Sequence, residues 1–198
     1  MQKAPCLMGL DSVKKVSIPS LARGIFLDIG EDPKREGLLK TPERFYKAIQ
    51  ELTSGYSMTP EAVVGEGVFE SESSGLICVK DIEFYSLCEH HMLPFWGKAS
   101  IAYMPKDKIL GLSKLARVLD VFARRLQVQE RLTKEVADSI FNLIDAKAVA
   151  IVIEAQHMCM MMRGVEKQSS KTRTEYIVGA VSLTEQEQTR IWKQLDTL

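Results

Sequence analysis

The chain has 198 residues, 45% of them hydrophobic and 26% charged, which is the composition of an ordinary globular protein with one substantial core. Lys plus Arg and Asp plus Glu number 26 each, so the balanced charge indicates neither a nucleic acid nor a membrane surface as partner. No apolar run approaches the roughly 18 residues of a transmembrane helix, and the N-terminus lacks a secretory segment, so we expect a cytoplasmic protein.

The first third of the chain is predicted to be helical after a loosely ordered tail at residues 1–18. Apolar residues at helical spacing predict a first helix, which ends near Gly30. A second helix is predicted from Thr41, whose hydroxyl would cap it, with Pro42 at the first helical position. A shorter helix is expected to follow Thr59.

From about residue 75 the hydrophobic pattern changes to strands and two amphipathic helices. Ser113 predicts the cap of a helix that extends to Leu126, and a second helix carries an apolar stripe from Leu132 to Ile144. Thr184 predicts the cap of a last helix. Strands are predicted at four places, namely 76–85, 98–104, 148–153 and 176–178.

The order of these elements, helices and then β-β-α-α-β-β, predicts an α+β fold. Strands that are neighbours in sequence lack long crossovers, so the sheet should be mostly antiparallel, with the two central helices on one face. Four strands leave free edges that invite pairing with other subunits. We therefore expect a homo-oligomer.

All three histidines lie in two short segments that also hold two of the four cysteines. Cys88 and His91 are three residues apart, so one turn can direct both side chains to a common point. His157 and Cys159 are two apart, so on a strand they would point to the same face. Thiolates and imidazoles are ligands that Zn²⁺ prefers, and the two segments together predict one metal site.

Spacing alone leaves three other interpretations open: a buried cysteine pair, a disulfide between Cys88 and Cys159, or a closed structural zinc site of two Cys and two His. A disulfide fits poorly with a cytoplasmic protein. A closed site would still leave His90 or His91 as a spare imidazole suited to proton transfer. Cys6 and Cys78 lie outside both segments and are expected to be ordinary tail or buried thiols.

A candidate anion site lies where Gly111-Leu112-Ser113-Lys114 opens a helix, because backbone N–H groups, a hydroxyl and an ammonium suit a phosphate. Arg117 lies one turn further on. Arg44 and Lys47 form a basic pair on an early helix, and Arg163 follows the second metal segment closely. For the group at Ser113, Lys114 and Arg117 and for the pair Arg44 and Lys47, the alternative to phosphate binding is a set of solvated charges on an amphipathic helix.

Gln129 and Glu130 stand at the start of the second central helix. A carboxylate there often only compensates the helix dipole. It is also the acceptor needed for a guanine edge, whose N1–H and exocyclic amine present two parallel donors.

Four ordered motifs together resemble the GTP cyclohydrolase I family, over most of the chain from about residue 31 to the C-terminus. Because the motifs are separate and in order, they are far more specific together than any one alone. They are Ser86-Leu87-Cys88-Glu89-His90-His91, Gly111-Leu112-Ser113-Lys114, Gln127-Val128-Gln129-Glu130-Arg131-Leu132, and His157-Met158-Cys159 followed by Arg163-Gly164.

The resemblance implies a tunnelling fold, in which antiparallel sheets of several subunits join into a barrel and two rings stack into a homodecamer with active sites at subunit interfaces. It implies Zn²⁺ held by Cys88, His91 and Cys159. The catalytic residues it implies are His90, His157 and Ser113. The substrate-binding residues it implies are Gln129, Glu130, Ser113, Lys114, Arg117 and Arg163, with Arg44 and Lys47 supplied by a neighbouring subunit.

The implied reaction converts GTP and water to 7,8-dihydroneopterin triphosphate and formate, the first step of pteridine (folate or tetrahydrobiopterin) biosynthesis. One alternative is a 7-deazaguanine nitrile reductase of the same fold, which would need a nucleophilic cysteine and NADPH in place of a metal trio. Another is a catalytically silent, zinc-stabilised assembly protein, against which His90 and His157 both count. We divide the chain into the tail at 1–18, a helical segment at 19–66 and a tunnelling-fold catalytic domain at 67–198.

Overall fold

The computed structural model describes residues 16–72 and 75–196 of the chain. The chain divides into two compact units between residues 50 and 51. Most of the predicted tail, including Cys6, lies outside the described residues, and the two predicted domain boundaries stay predictions. No helix in the described part of the chain is long and apolar enough to cross a membrane.

The first unit contains α1 (Ile18–Asp28) and most of α2 (Thr41–Leu52). The side chain of Ser17 caps α1 by accepting a hydrogen bond from the backbone of the first turn. The predicted α2 is present and begins at Thr41, whose hydroxyl donates to the Gly37 carbonyl at 3.4 Å; the predicted cap by this hydroxyl stays a prediction.

The second unit is an α+β fold built on one five-stranded sheet, whose strands are β2 (Ile77–Cys88), β3 (Pro94–Met104), β5 (Leu126–Gln127), β6 (Ala148–His157) and β7 (Thr172–Val178), while β1 (Val68–Glu70) and β4 (Lys108–Leu110) form a separate pair. The five strands lie in the order β5-β2-β3-β6-β7. All neighbours in this sheet are antiparallel except β5 and β2, which are parallel. The helices are α3 (Pro60–Val64), α4 (Leu112–Ala123), α5 (Gln129–Ile144), α6 (Met158–Met161) and α7 (Glu185–Asp196). The predicted α+β class and mostly antiparallel sheet are thus confirmed, whereas the described residues contain three short strands, β1, β4 and β5, that were not predicted.

The main core lies between one face of the sheet and α4 and α5. Ile101 of β3 is fully buried there with Leu119 of α4 and Ile140 of α5. The next residue along β3, Ala102, points to the opposite face and packs in a second cluster with Ile191 of α7. The two central helices therefore cover one face as predicted, and α7 covers part of the other.

The helix caps show which local signals are reliable. Thr184 caps α7 through its hydroxyl oxygen, as predicted. Thr59 caps α3, the short helix expected after it, in the same way. Ser113 does not cap α4, because Gly111 occupies that position without a side-chain bond. Helix α4 also ends at Ala123, so Leu126 lies in β5 and the predicted helix was too long.

Candidate metal centre

The first half of the candidate centre is the turn between β2 and β3. Cys88 ends β2, and its carbonyl accepts from the backbone N–H groups of His91 at 3.3 Å and Met92 at 2.7 Å. Pairing of β2 with β3 continues to the base of this turn, at Leu87 and Pro94. The turn therefore holds Cys88 and His91 close together, as their spacing predicts.

The second half is the C-terminal end of β6, which antiparallel pairing brings beside the turn. His157 is the last residue of β6 and pairs with Phe95 of β3. Cys159 lies in the short helix α6, so the prediction that His157 and Cys159 share one face of a strand is wrong. The strand ends between them, and their side chains can take different directions.

The ligand atoms of Cys88, His91 and Cys159 all lie within 4.8 Å of one another and could hold a metal ion. Cys88 is buried, Cys159 is half-buried and His91 is exposed. Both cysteines are free, so the Cys88–Cys159 disulfide considered from the sequence is not formed. Two sulfur donors and one imidazole form a set that suits a soft or borderline transition metal.

The electrostatics of the cysteine pair also fit a cation. Burial raises the pKa of the Cys159 thiol, and the neighbouring Cys88 raises that pKa further. The Arg163 guanidinium acts in the opposite direction and lowers this pKa, so a nearby positive charge favours the Cys159 thiolate. A metal ion bound here would add such a charge.

His157 lies beside this cluster in a tightly defined environment. Its ring stacks on Phe95 with centroids 4.6 Å apart and an interplanar angle of 1°. Its Nε2 lies 2.9 Å from Oε1 of Gln129, which is only 1% exposed. Burial lowers the pKa of His157, and the negative charge of Glu130 acts in the opposite direction.

Three further predicted site residues reach this region. His90 Nδ1 lies 3.8 Å from the sulfur of Cys88. The Arg163 guanidinium, which can only donate, gives a hydrogen bond to His91 Nε2 at 3.1 Å. Glu130 is exposed at the first turn of α5 and is near enough to His157 to affect its pKa.

The remaining predicted residues are not joined to the cluster by any hydrogen bond that the structure gives for residues 16–72 and 75–196. Ser113 and Arg117 are exposed on α4, and Lys114 is half-buried with its ammonium 3.4 Å from the Val63 carbonyl. Arg44 and Lys47 are exposed on α2 in the first unit. Their roles stay predictions.

Sequence reasoning missed a network that ties the metal turn to α5. Arg131 forms an ion pair with Glu89 of the turn, and its Nε donates to Gln127 Oε1 at 2.9 Å. Gln127 in turn donates to Glu135 Oε2 at 2.7 Å. The i, i+4 spacing of Gln127 and Arg131 was a visible signal, but their partner Glu89 is distant in sequence.

Comparison with known proteins gives one consistent result. The profile of the family described as GTP cyclohydrolase I matches residues 18–196. A GTP cyclohydrolase 1 of Pseudomonas syringae pv. tomato is 57% identical over 83% of this chain and 88% of its own length. That of Porphyromonas gingivalis is 60% identical over 77% of this chain and 79% of its own. That of Deinococcus radiodurans is 53% identical over 85% of this chain and 81% of its own length.

Among solved structures, the apo form of the archaeosine synthase QueF-Like covers 55% of this chain and 97% of its own chain. Its sequence identity is 14% and its TM-score 0.46, a likeness too distant to support an argument about this chain.

Proposed function

The chain belongs to the GTP cyclohydrolase I family, whose members act on GTP in pteridine biosynthesis, and we propose that it does so with zinc held by Cys88, His91 and Cys159. The observation that carries the proposal is the approach of these three ligand atoms to within 4.8 Å of one another beside His157. A zinc ion with three protein ligands keeps a fourth position open, as catalytic zinc sites do. The products are 7,8-dihydroneopterin triphosphate and formate.

The metal and the nearby histidines would act in different steps at the guanine ring. When bound, zinc would supply the Lewis-acid chemistry that makes hydrolysis at C8 feasible near neutral pH. His157 gives a proton to N7 as the imidazole ring opens. His90 and Ser113 assist the later proton transfers that accompany release of formate and rearrangement of the ribose.

Substrate recognition would combine one carboxylate with several cations. Glu130 is exposed at the start of α5 and accepts from N1–H and the exocyclic amine of guanine. Arg163 already lies against His91 and reaches the triphosphate from the metal side. Lys114 and Arg117 of α4 hold the remaining phosphate oxygens, so the unreactive triphosphate positions C8 near the metal.

The complete site would form between subunits of a homodecamer. Strand β7 is the last strand of the five-stranded sheet, so its outer edge can pair with a neighbouring subunit and extend the sheet into a barrel. In such an assembly Arg44 and Lys47 complete a neighbour's triphosphate site. The free thiols of Cys78, Cys88 and Cys159 support a reducing compartment such as the cytoplasm.

Incubation of protein of known zinc content with GTP tests the proposal. Formate and a pterin that becomes fluorescent on oxidation should both appear, in equal amounts. ATP should give neither product, because a site built around the two guanine donors rejects a base that lacks them by a large factor. Equal turnover of ATP, or no formate from the zinc-loaded protein, would contradict the proposed function.

The variant Glu130→Ala tests the base contact. Removal of the carboxylate leaves both guanine donors without their partner, so the apparent affinity for GTP should fall strongly while bound zinc stays at the parent level. Glu154→Ala is a matched control, because this half-exposed carboxylate pairs with Lys171 instead. Unchanged GTP affinity in Glu130→Ala would remove Glu130 from the recognition site.

A further inference from the structure

The side-chain amide of Gln129 is fixed in one orientation. Its nitrogen lies 3.0 Å from the Ile153 carbonyl, 3.0 Å from the Thr172 carbonyl and 3.1 Å from the Thr174 hydroxyl. An amide nitrogen only donates hydrogen bonds, and carbonyl oxygens only accept them. Exchanging the nitrogen and oxygen of Gln129 would place oxygen against two oxygens in a buried site, so the observed orientation is strongly preferred.

Two threonine hydroxyls complete this arrangement. The Thr133 hydroxyl donates to the backbone carbonyl of Gln129 at 2.7 Å and lies 2.7 Å from the Thr174 hydroxyl. Because the single hydrogen of Thr133 is used on that carbonyl, Thr174 must donate to Thr133. The Thr174 oxygen then accepts from Gln129, which closes a ring of hydrogen bonds with one consistent direction.

The fixed amide of Gln129 determines the tautomer of His157. Its Oε1 carries no hydrogen, so the 2.9 Å contact requires His157 Nε2 to donate. The neutral ring therefore has its hydrogen on Nε2 and a lone pair on Nδ1. Among residues 16–72 and 75–196, no hydrogen bond is made by Nδ1, and the parallel contact with Phe95 fixes the plane of the ring.

We propose that Gln129 is a positioning residue, which holds His157 as the Nε2–H tautomer and leaves Nδ1 as the nitrogen that exchanges protons with the substrate. The inference rests on the proposed role of His157. Nδ1 of the neutral ring takes up the proton that water releases as it adds to C8 and passes this proton to guanine N7, which leaves the ring again as the tautomer that Gln129 accepts from. No tautomer change is needed within the cycle.

This role differs from the guanine contact that the family resemblance predicts for Gln129. The two amide hydrogens are shared among three acceptors, one buried and two partly buried, so none is left for a base. The oxygen is occupied by His157. The adjacent Glu130 is exposed and remains available to the substrate.

The tautomer can be measured directly in the zinc-loaded oligomer without altering Gln129. The chain has three histidines, so ¹⁵N-histidine labelling gives few nitrogen signals in a solid-state NMR spectrum, and His157→Ala identifies those of His157. We expect a protonated Nε2 and a bare Nδ1 for the neutral ring. A protonated Nδ1 would overturn the inference.

Kinetics of Gln129→Met provide the second test, because methionine keeps the volume and removes the amide. We expect kcat to fall about 10- to 100-fold, the size of effect known for groups that orient metal-ligating histidines, with little change in KM. A raised KM with unchanged kcat would instead identify a guanine contact and overturn the inference.

Thr174 offers a matched pair of variants for the case in which Gln129→Met fails to assemble or bind zinc. Thr174→Val keeps the shape but loses the hydroxyl, whereas Thr174→Ser keeps the hydroxyl. Because the Ile153 and Thr172 carbonyls alone still oppose an exchanged amide of Gln129, we expect both variants to keep the Nε2–H tautomer of His157. A protonated Nδ1 on the neutral ring of either variant would contradict the inference. Full turnover by His157→Ala would refute the proposed role of His157, while the NMR result would still report on Gln129.

Discussion

Gln129 and Glu130 are consecutive residues whose side chains lie in opposite surroundings. The Gln129 amide is buried and fully bonded, whereas the Glu130 carboxylate is exposed at the start of α5. The family resemblance implied substrate contact for both. Burial distinguishes their roles, because a buried amide with satisfied hydrogen bonds can orient a neighbouring side chain but cannot easily rearrange to bind a ligand.

The variant Cys159→Ala tests the metal set at the scale of one residue. Loss of one of three ligands should remove tightly bound zinc and all turnover, since Cys88 and His91 alone leave the ion weakly held. Metal content by mass spectrometry, alongside formate release, measures both effects. Cys78→Ala is the control, because this half-buried thiol packs against the second core cluster instead of the metal group.

Full zinc occupancy in purified Cys159→Ala would exclude Cys159 as a ligand. Loss of zinc from the Cys78→Ala control would show that metal retention reports only on general stability, and the comparison would then give no support to the proposed set.

At the scale of elements, local signals predicted helices better than they predicted where strands end. The Thr184 cap could be predicted because the donor and acceptor are three residues apart. The extension of β6 to His157 could not, since it depends on pairing with Phe95, which is 62 residues earlier in the chain. The short strand β5 also escaped prediction, because two residues carry no periodic pattern.

Helix α7 provides a prediction about pH. The Glu187 carboxylate accepts from Lys147 Nζ at 2.8 Å and from the backbone and hydroxyl of Thr184 at 2.8 and 3.0 Å. The lysine first, and then Thr184, lower the pKa of Glu187 from 4.5 to about 2. The carboxylate therefore stabilises the folded state above pH 4.5, and this contribution is lost as the pH falls from 4.5 towards 2.

Glu187→Gln should accordingly be less stable than the parent at pH 7, and the difference should shrink below about pH 4.5. Urea unfolding of parent and variant over this pH range measures the difference. Glu185→Gln, in the same first turn, controls for the helix dipole and should show a much smaller effect. A difference that is independent of pH would contradict the assignment.

The loop before β1 provides a prediction about Lys114. Gly67 is buried, and a Cβ atom added there would lie 2.3 Å from Cε of Lys114. Gly67→Ala should therefore displace the lysine side chain, because its flexible end can move more easily than backbone. If Lys114 holds phosphate, the apparent affinity for GTP should fall by up to about tenfold, whereas inhibition by guanosine should be unchanged.

Gly111→Ala is the matched control for this loop, since a Cβ there would meet its nearest atom at an ordinary 3.6 Å. Competition assays with GTP and guanosine on zinc-loaded protein compare the two variants. Equal loss of affinity for GTP and guanosine in Gly67→Ala would mean that Lys114 does not act on the triphosphate.

At the scale of the whole molecule, the sequence indicated which residues form the metal group but not what holds them together. The concentration of Cys and His in two segments predicted one metal site, and the family resemblance implied Cys88, His91 and Cys159 as its ligands. The start of α5 contacts both halves of the group: Arg131 holds the turn through Glu89, and Gln129 holds the end of β6 through His157. These long-range pairs depend on how α5 packs on the sheet, which no local pattern specifies.

The largest-scale prediction concerns a site shared between subunits. Arg44 and Lys47 are exposed on α2, while the metal group and His157 belong to the second unit. If the basic pair completes a neighbour's triphosphate site, the double variant Arg44→Ala with Lys47→Ala should be nearly inactive, and so should His157→Ala. Unfolding and reassembling the two variants together should restore activity, because some interfaces then join an intact basic pair to an intact metal site.

Mass-tagged subunits, detected in one oligomer by native mass spectrometry, establish first that the variants co-assemble. Reassembly of each variant alone under the same conditions is the control and should stay inactive. Random mixing in equal amounts should restore about a quarter of the parent activity, since one interface in four draws an intact contribution from each side when subunits are distributed independently. Mixed oligomers without recovered activity would show that Arg44 and Lys47 serve their own subunit's site or none.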